Sequence, residues 1–152
     1  MAATAHEAAF RIPAPVLCER STVLVALDSP AIPVASSCRS RLSDRLSVLV
    51  ASSVDGGTAV MRDLQGDHLD AHETLSGVDM AVLLASEDSS AARAGIFGRI
   101  AAEAGATVAG IVLAGVDNPL RAVLAQMRRY CHMVLVSSGP DDLSEVLLAL
   151  RA

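Results

Sequence analysis

The stretch Met80–Gly115, MAVLLASEDSSAARAGIFGRIAAEAGATVAGIVLAG, decides how the chain folds. It opens with a continuous apolar run, Met80–Ala85, and closes with another, Val108–Ala114. Between them Asp88–Ala104 reads as a helix, ended by Gly105, the residue type a helix C-terminus favours. Apolar runs without alternation are buried on both faces, as in a parallel sheet covered by helices.

The pattern continues outward from there. Downstream, Leu120, Val123, Leu124 and Met127 fall at i, i+3, i+4 and i+7, behind Asn118 as a cap and Pro119 at the first helical position. Met133–Val136 is the next apolar run. Pro140 and Asp141–Asp142 then open a last helix whose stripe is Leu143, Val146, Leu147 and Leu150. Acids in its first turn, and Arg128, Arg129 or Arg151 in the last turns, suit the helix dipole. From Met80 onward the order is therefore β-α-β-α-β-α. Upstream, Val23–Leu27 and Val48–Ala51 add two strands. Ser29–Asp44, with Pro30 and Pro33, reads as a loop plus a weak short helix. Thr58–Leu64 and His68–Ser76 read as two helical pieces parted by Gly66-Asp67. The expectation is an α/β fold: a three-layer Rossmann-like domain with a mostly parallel sheet of about five strands. Residues 21–152 form that single domain, and 1–20, Ala-rich with Pro13 and Pro15, form an arm or short helix ahead of it.

Composition narrows the function. The 152 residues are 52% hydrophobic and 19% charged, with a mean hydropathy of +0.46, which excludes a disordered segment. Aromatic content is 2%, namely Phe10, Phe97 and Tyr130, so platforms for stacking bases or sugars are nearly absent. All 12 basic residues are arginine. The missing lysine excludes Schiff-base catalysis, a Walker A lysine and a receiver-type lysine together. A net charge of −5 and a pI near 5.2 argue against nucleic acid as a partner. The opening Met1–Arg20 has Glu7 early and no cationic start, so it does not read as a signal peptide. Every apolar run is far short of the ~18 residues that cross a bilayer, and no membrane partner is expected. Cys18, Cys38 and Cys131 form no C-x-x-C pair and read as reduced thiols of a cytoplasmic protein.

In open parallel sheets, ligands bind beyond the carboxyl ends of the strands. That crest collects Asp28, Asp55 with Gly56 and Gly57, Ser86, Asp88 and Asp117, and these are the candidate ligand-binding residues. The crest offers carboxylates and hydroxyls, with Arg93 the nearest cation, so it repels a phosphate unless Mg²⁺ on Asp55, Asp88 or Asp117 mediates. Ser53–Thr58 is the only glycine-rich loop after a strand and reads more simply as a turn. On a helix, His68 and His72 would sit one turn apart, a spacing that can hold Zn²⁺, which makes them the candidate metal ligands. No G-x-S-x-G elbow is present, no catalytic constellation is identified, and no cofactor is expected.

Over Asp70–Leu143 the order of elements resembles the central part of the tubulin/FtsZ GTPase family. Gly77-Val78-Asp79-Met80 opens a strand in the manner of that family's G-A-D-M motif. Ile100–Gly105 then precedes Thr107–Leu113, and Met127–Tyr130 precedes His132–Val136. A second resemblance runs from Val78 to Asp117, ending GIVLAGVD at Gly110–Asp117, and is to ParA/MinD-type P-loop ATPases. In the first comparison the family glycine loop falls on Ser86–Ala94, which holds no glycine and two acids, Glu87 and Asp88. Either resemblance implies a nucleotide-hydrolase scaffold that has lost its phosphate loop. The expected function is a non-catalytic cytoplasmic module working through protein–protein contacts, with itself or with a regulatory partner. The alternative is an enzyme or binding protein for a small molecule, using the acidic and serine residues of the crest.

Overall fold

The computed structural model describes residues 20–42, 46–55, 58–115 and 119–150. Along the chain they form β1 (Thr22–Ala26), α1 (Ala31–Arg41), β2 (Leu46–Asp55), β3 (Thr58–Arg62), β4 (His68–Asp70), α2 (Ala71–Leu75) and β5 (Met80–Ala85). A 3₁₀ turn (Asp88–Ser90) leads into α3 (Ala91–Glu103), followed by β6 (Thr107–Leu113), α4 (Arg121–Tyr130), β7 (Met133–Ser137) and α5 (Pro140–Ala149). Among the described residues the strands make one seven-stranded sheet in the order β4-β3-β2-β1-β5-β6-β7. The five strands from β2 to β7 pair in parallel, whereas β3 and β4 are antiparallel additions beyond β2. Without those additions the order is the 2-1-3-4-5 of flavodoxin-like doubly wound sheets.

The unbroken apolar runs are explained by a core on each side. Alternate residues of one run serve opposite faces, as the two-residue period of a strand requires. Leu24, Ala26, Val82, Leu84, Ala109 and Ile111 meet α1 and α5, through Ala31, Ala35, Cys38, Leu143 and Leu147. Val23, Val25, Ala81, Leu83, Val108 and Val112 meet α2, α3 and α4 on the other face. Every residue of β1 and β5 is buried, so these two strands are the centre of the molecule. Among the described residues Phe97 on α3 is the one aromatic side chain fully buried in the core. Helix α4 reaches β6 because Gly110 has no side chain. A Cβ there would lie 2.8 Å from the Met127 sulfur and 3.2 Å from that of Cys131. Gly105 ends α3 at φ +83°, as its position predicts.

Three expectations need correction. The sheet has seven strands rather than about five, because Thr58–Arg62 is a strand and not a helical piece. Its residues alternate, with Thr58 exposed, Ala59 buried and Met61 buried, while the chain doubles back along β2. His68–Ser76 is likewise a strand, β4, followed by the short helix α2. Ser29–Asp44 holds an 11-residue helix in place of a weak one. Pro33 is its third residue, where no intrahelical bond needs the missing N–H. Asn118, the expected cap of α4, Asp117, Gly56, Gly57 and nearly all of the expected N-terminal arm lie outside the described residues.

Candidate functional site

The parallel strands point the same way, so their carboxyl ends share one edge. From β1 the chain crosses to β2 through α1 on one face, and from β5 to β6 through α3 on the other. The strand order therefore reverses between β1 and β5, which is where doubly wound folds bind ligands. Asp28 stands there, two residues beyond β1 and 4% exposed. One carboxylate oxygen, Oδ2, accepts the backbone N–H groups of Ser86 at 2.7 Å and Glu87 at 2.9 Å. The other, Oδ1, accepts the N–H of Ala31 at 3.1 Å and the Ser86 hydroxyl. Four donors from the start of α1 and the exit of β5 thus converge on one buried carboxylate. Bonds of this kind to an ionised group are what offset its removal from water. Two successive N–H groups at a strand exit are also what an anion would need, and Asp28 itself occupies them. Arg93, in the first turn of α3, donates from Nη1 to the carbonyl of Leu27 at 2.9 Å, which places its charge beside the same junction.

The other crest residues that the structure describes serve helix starts and turns. Asp88 Oδ1 accepts the N–H of Val123 at 3.0 Å and so caps α4 from 35 residues away. The Ser90 hydroxyl donates to the carbonyl of Glu87 at 2.7 Å, and the Ser137 hydroxyl to that of Gly139 at 3.0 Å. Asp55 ends β2, paired with Thr58 across the hairpin. Of the candidate ligand-binding residues, the structure joins Asp28 to Ser86 and sends Asp88 to a helix start.

The histidine pair does not form as the sequence predicts. His68 lies in β4 and His72 in α2, both exposed, so no single helix sets them one turn apart. Asp70 between them accepts the N–H of Glu73 at 2.9 Å and caps α2. Among the described residues no group of three or more His, Cys, Asp or Glu side chains is placed to hold a metal. Burial pushes the Cys131 thiol up to about 11 and raises that of Cys38 as well, so neither is a thiolate nucleophile at neutral pH. His132 accepts the N–H of Val108 at Nδ1, 3.2 Å, which fastens the entry of β7 to β6. No helix among the described residues is long and apolar enough to cross a membrane.

Sequence reasoning missed the clasp at the opposite end of the strands. Asp79 Oδ2 accepts the N–H of Ser21 at 2.9 Å and the Ser21 hydroxyl at 3.1 Å. These bonds, first the backbone one and then the hydroxyl, hold the Asp79 carboxyl below its ordinary range, with Arg20 adding a smaller attraction. Asp79, the third residue of the stretch that resembles the G-A-D-M motif, is thus a strand clasp.

The chain matches no protein-family model and no curated protein. Solved structures similar to it include two pilus assembly proteins. One is described as a CpaE2 pilus assembly protein from Sinorhizobium meliloti 1021, 14% identical, the match covering 84% of this chain and 97% of that one, with a TM-score of 0.43. The other is a pilus assembly protein CpaE from Caulobacter crescentus CB15, 13% identical, covering 85% and 98%, with a TM-score of 0.44. Where a glycine loop would bring bare backbone to a phosphate, Ser86 and Glu87 turn their N–H groups onto Asp28.

Proposed function

We propose that this chain is a non-catalytic cytoplasmic α/β module that acts through protein–protein contacts. Of the two resemblances in its sequence, we keep the ParA/MinD-type scaffold without a phosphate loop. The observation that supports this reading is the buried Asp28 carboxylate at the strand-order reversal, holding the donors that a bound phosphate would require. A nucleoside triphosphate would have to displace a side chain with four hydrogen bonds and would then face Glu87 and Asp88. Unpaired negative charges brought together in this way repel, and the chain has no lysine to offset them. Titration calorimetry with ATP and GTP, each with and without Mg²⁺, tests the reading. The expected result is no binding tighter than about 1 mM. A micromolar dissociation constant for either nucleotide would overturn it.

A further inference from the structure

The two edges of the sheet present different chemistry to solvent. At one edge β4 is three residues long and carries His68 and Asp70, the charged, short form that resists pairing. At the other, β7 carries no charge and no proline, and Met133 and Val136 are 40% and 63% exposed. Leu148 on α5, 62% exposed, completes the large exposed hydrophobic residues among those described. Helices α4 and α5 flank β7 on opposite faces of the sheet, and their exposed charges are opposite. Helix α4 carries Arg121, Arg128 and Arg129 and no acid, whereas α5 carries Asp141, Asp142 and Glu145 and no base.

We propose that a second copy of this chain docks on the α4–β7–α5 edge, about a two-fold axis running along β7. This rests on the reading of the chain as a module of protein contacts, and it names the partner. A two-fold axis along the strand turns one copy over, so that α4 of each lies beside α5 of the other. Both helices begin at the crest, which sets Arg121 near Asp142 and the arginines of the last α4 turn further down, along Glu145, while Asp141 pairs with Arg41 of α1 in its own chain. The contact is self-complementary, as an isologous interface must be. The competing arrangement, antiparallel pairing of the two β7 edges about an axis normal to the sheet, sets α4 against α4 and α5 against α5. Three arginines then meet three at one helix pair, and Asp142 and Glu145 meet their copies at the other, a juxtaposition that electrostatics disfavours.

Sedimentation velocity of the full chain, from low micromolar to about 200 µM, tests the proposal. The expected result is a dimer that weakens as salt screens the helix charges. Val136→Asp is expected to yield a monomer with an unchanged circular dichroism melt, because the side chain it replaces is largely in water. Arg128→Glu and Glu145→Arg are each expected to weaken the dimer about tenfold, and the two together in one chain to restore it. A wild-type chain monomeric throughout, a dimer indifferent to Val136→Asp, or a double reversal no better than the singles would each overturn the proposal. Nucleotide titration of the same samples keeps the outcomes apart: a monomer that binds no nucleotide removes the second copy only, and tight nucleotide binding removes the underlying reading.

Discussion

Two aspartates clasp the same pair of central strands at opposite ends, and they do so under different conditions. Asp28, past the end of β1, reaches the exit of β5 and is buried. Asp79, before the start of β5, reaches the entry of β1 and is exposed. In both clasps the partner is 58 residues away. That is the offset of the parallel register Thr22↔Met80, which continues to Ala26↔Leu84. The clasps are thus one register read at its two ends. A single-residue slip would break both and would also turn every side chain of β1 to the wrong face. What differs is the solvent. Donors left behind by Asp28 have little water to turn to, whereas those left by Asp79 are rehydrated at once.

The largest expected effect comes from breaking the buried clasp. Asp28→Ala removes four hydrogen bonds and strands the two donors of Ser86 in a half-buried place, while the N–H of Ala31 keeps its second acceptor, the backbone carbonyl of residue 28. The expected destabilisation is about 3 kcal/mol, and the thermal midpoint is expected to fall by roughly 10 °C in a calorimetric scan. Asp28→Asn keeps one acceptor oxygen but turns an amide N–H₂ toward the other donors, and its loss should be intermediate. A drop of less than about 1 kcal/mol for the alanine variant would mean that water satisfies those donors, and that the two clasps are alike after all.

The same contrast explains what the sequence discloses. The parallel strands are legible because burial on two faces removes polar residues from the run, as in Met80–Ala85. Strand β3 is not, because its TAVMR alternates on a partly exposed sheet and is too short to be told from a helix turn. Helix α1 is weakly amphipathic, rich in serine and alanine and carries Pro33 in its first turn, and its packing against β1, β2 and α5 accounts for it. At the site, Asp28 is legible by position, since residues beyond a strand's carboxyl end line the crest. Its engagement with Ser86 is not, because that depends on a pairing register between segments 58 residues apart. Asp79 suffers the reverse fate, being conspicuous in sequence for a motif and important in the structure for a hydrogen bond.

Asp88 supplies an intermediate case between the two clasps, half-buried and holding a helix end instead of a strand. Asp88→Ala leaves the N–H of Val123 without its cap, at an expected cost of about 1 kcal/mol, the usual penalty for losing a capping carboxylate. Amide hydrogen exchange locates the effect. The Val123 amide is expected to exchange faster in the variant, and the Ser86 amide, bonded to Asp28, to keep its rate. Equal acceleration at both would show that the crest opens as one unit and that its carboxylates are not independent.

The exposed clasp gives the smallest effect and the one with a signature in pH. Its bonds are made to the ionised Asp79 carboxylate, so the folded state holds that group below its ordinary value of 3.8. A group depressed in this way adds stability above its unfolded value, and the contribution disappears as the pH falls through the folded value. Asp79→Asn is therefore expected to lower the midpoint at pH 7 by less than Asp88→Ala does. The gap between wild type and variant is then expected to close as acidification passes below the ordinary value and through the depressed folded one, once both carry a neutral group at the position. Added salt should narrow the gap at pH 7 only slightly, because the Ser21 bonds outweigh the attraction of Arg20. A gap that stays constant down to strong acid would show that the Ser21 bonds do not depend on the charge, and the exposed clasp would then be a matter of shape alone.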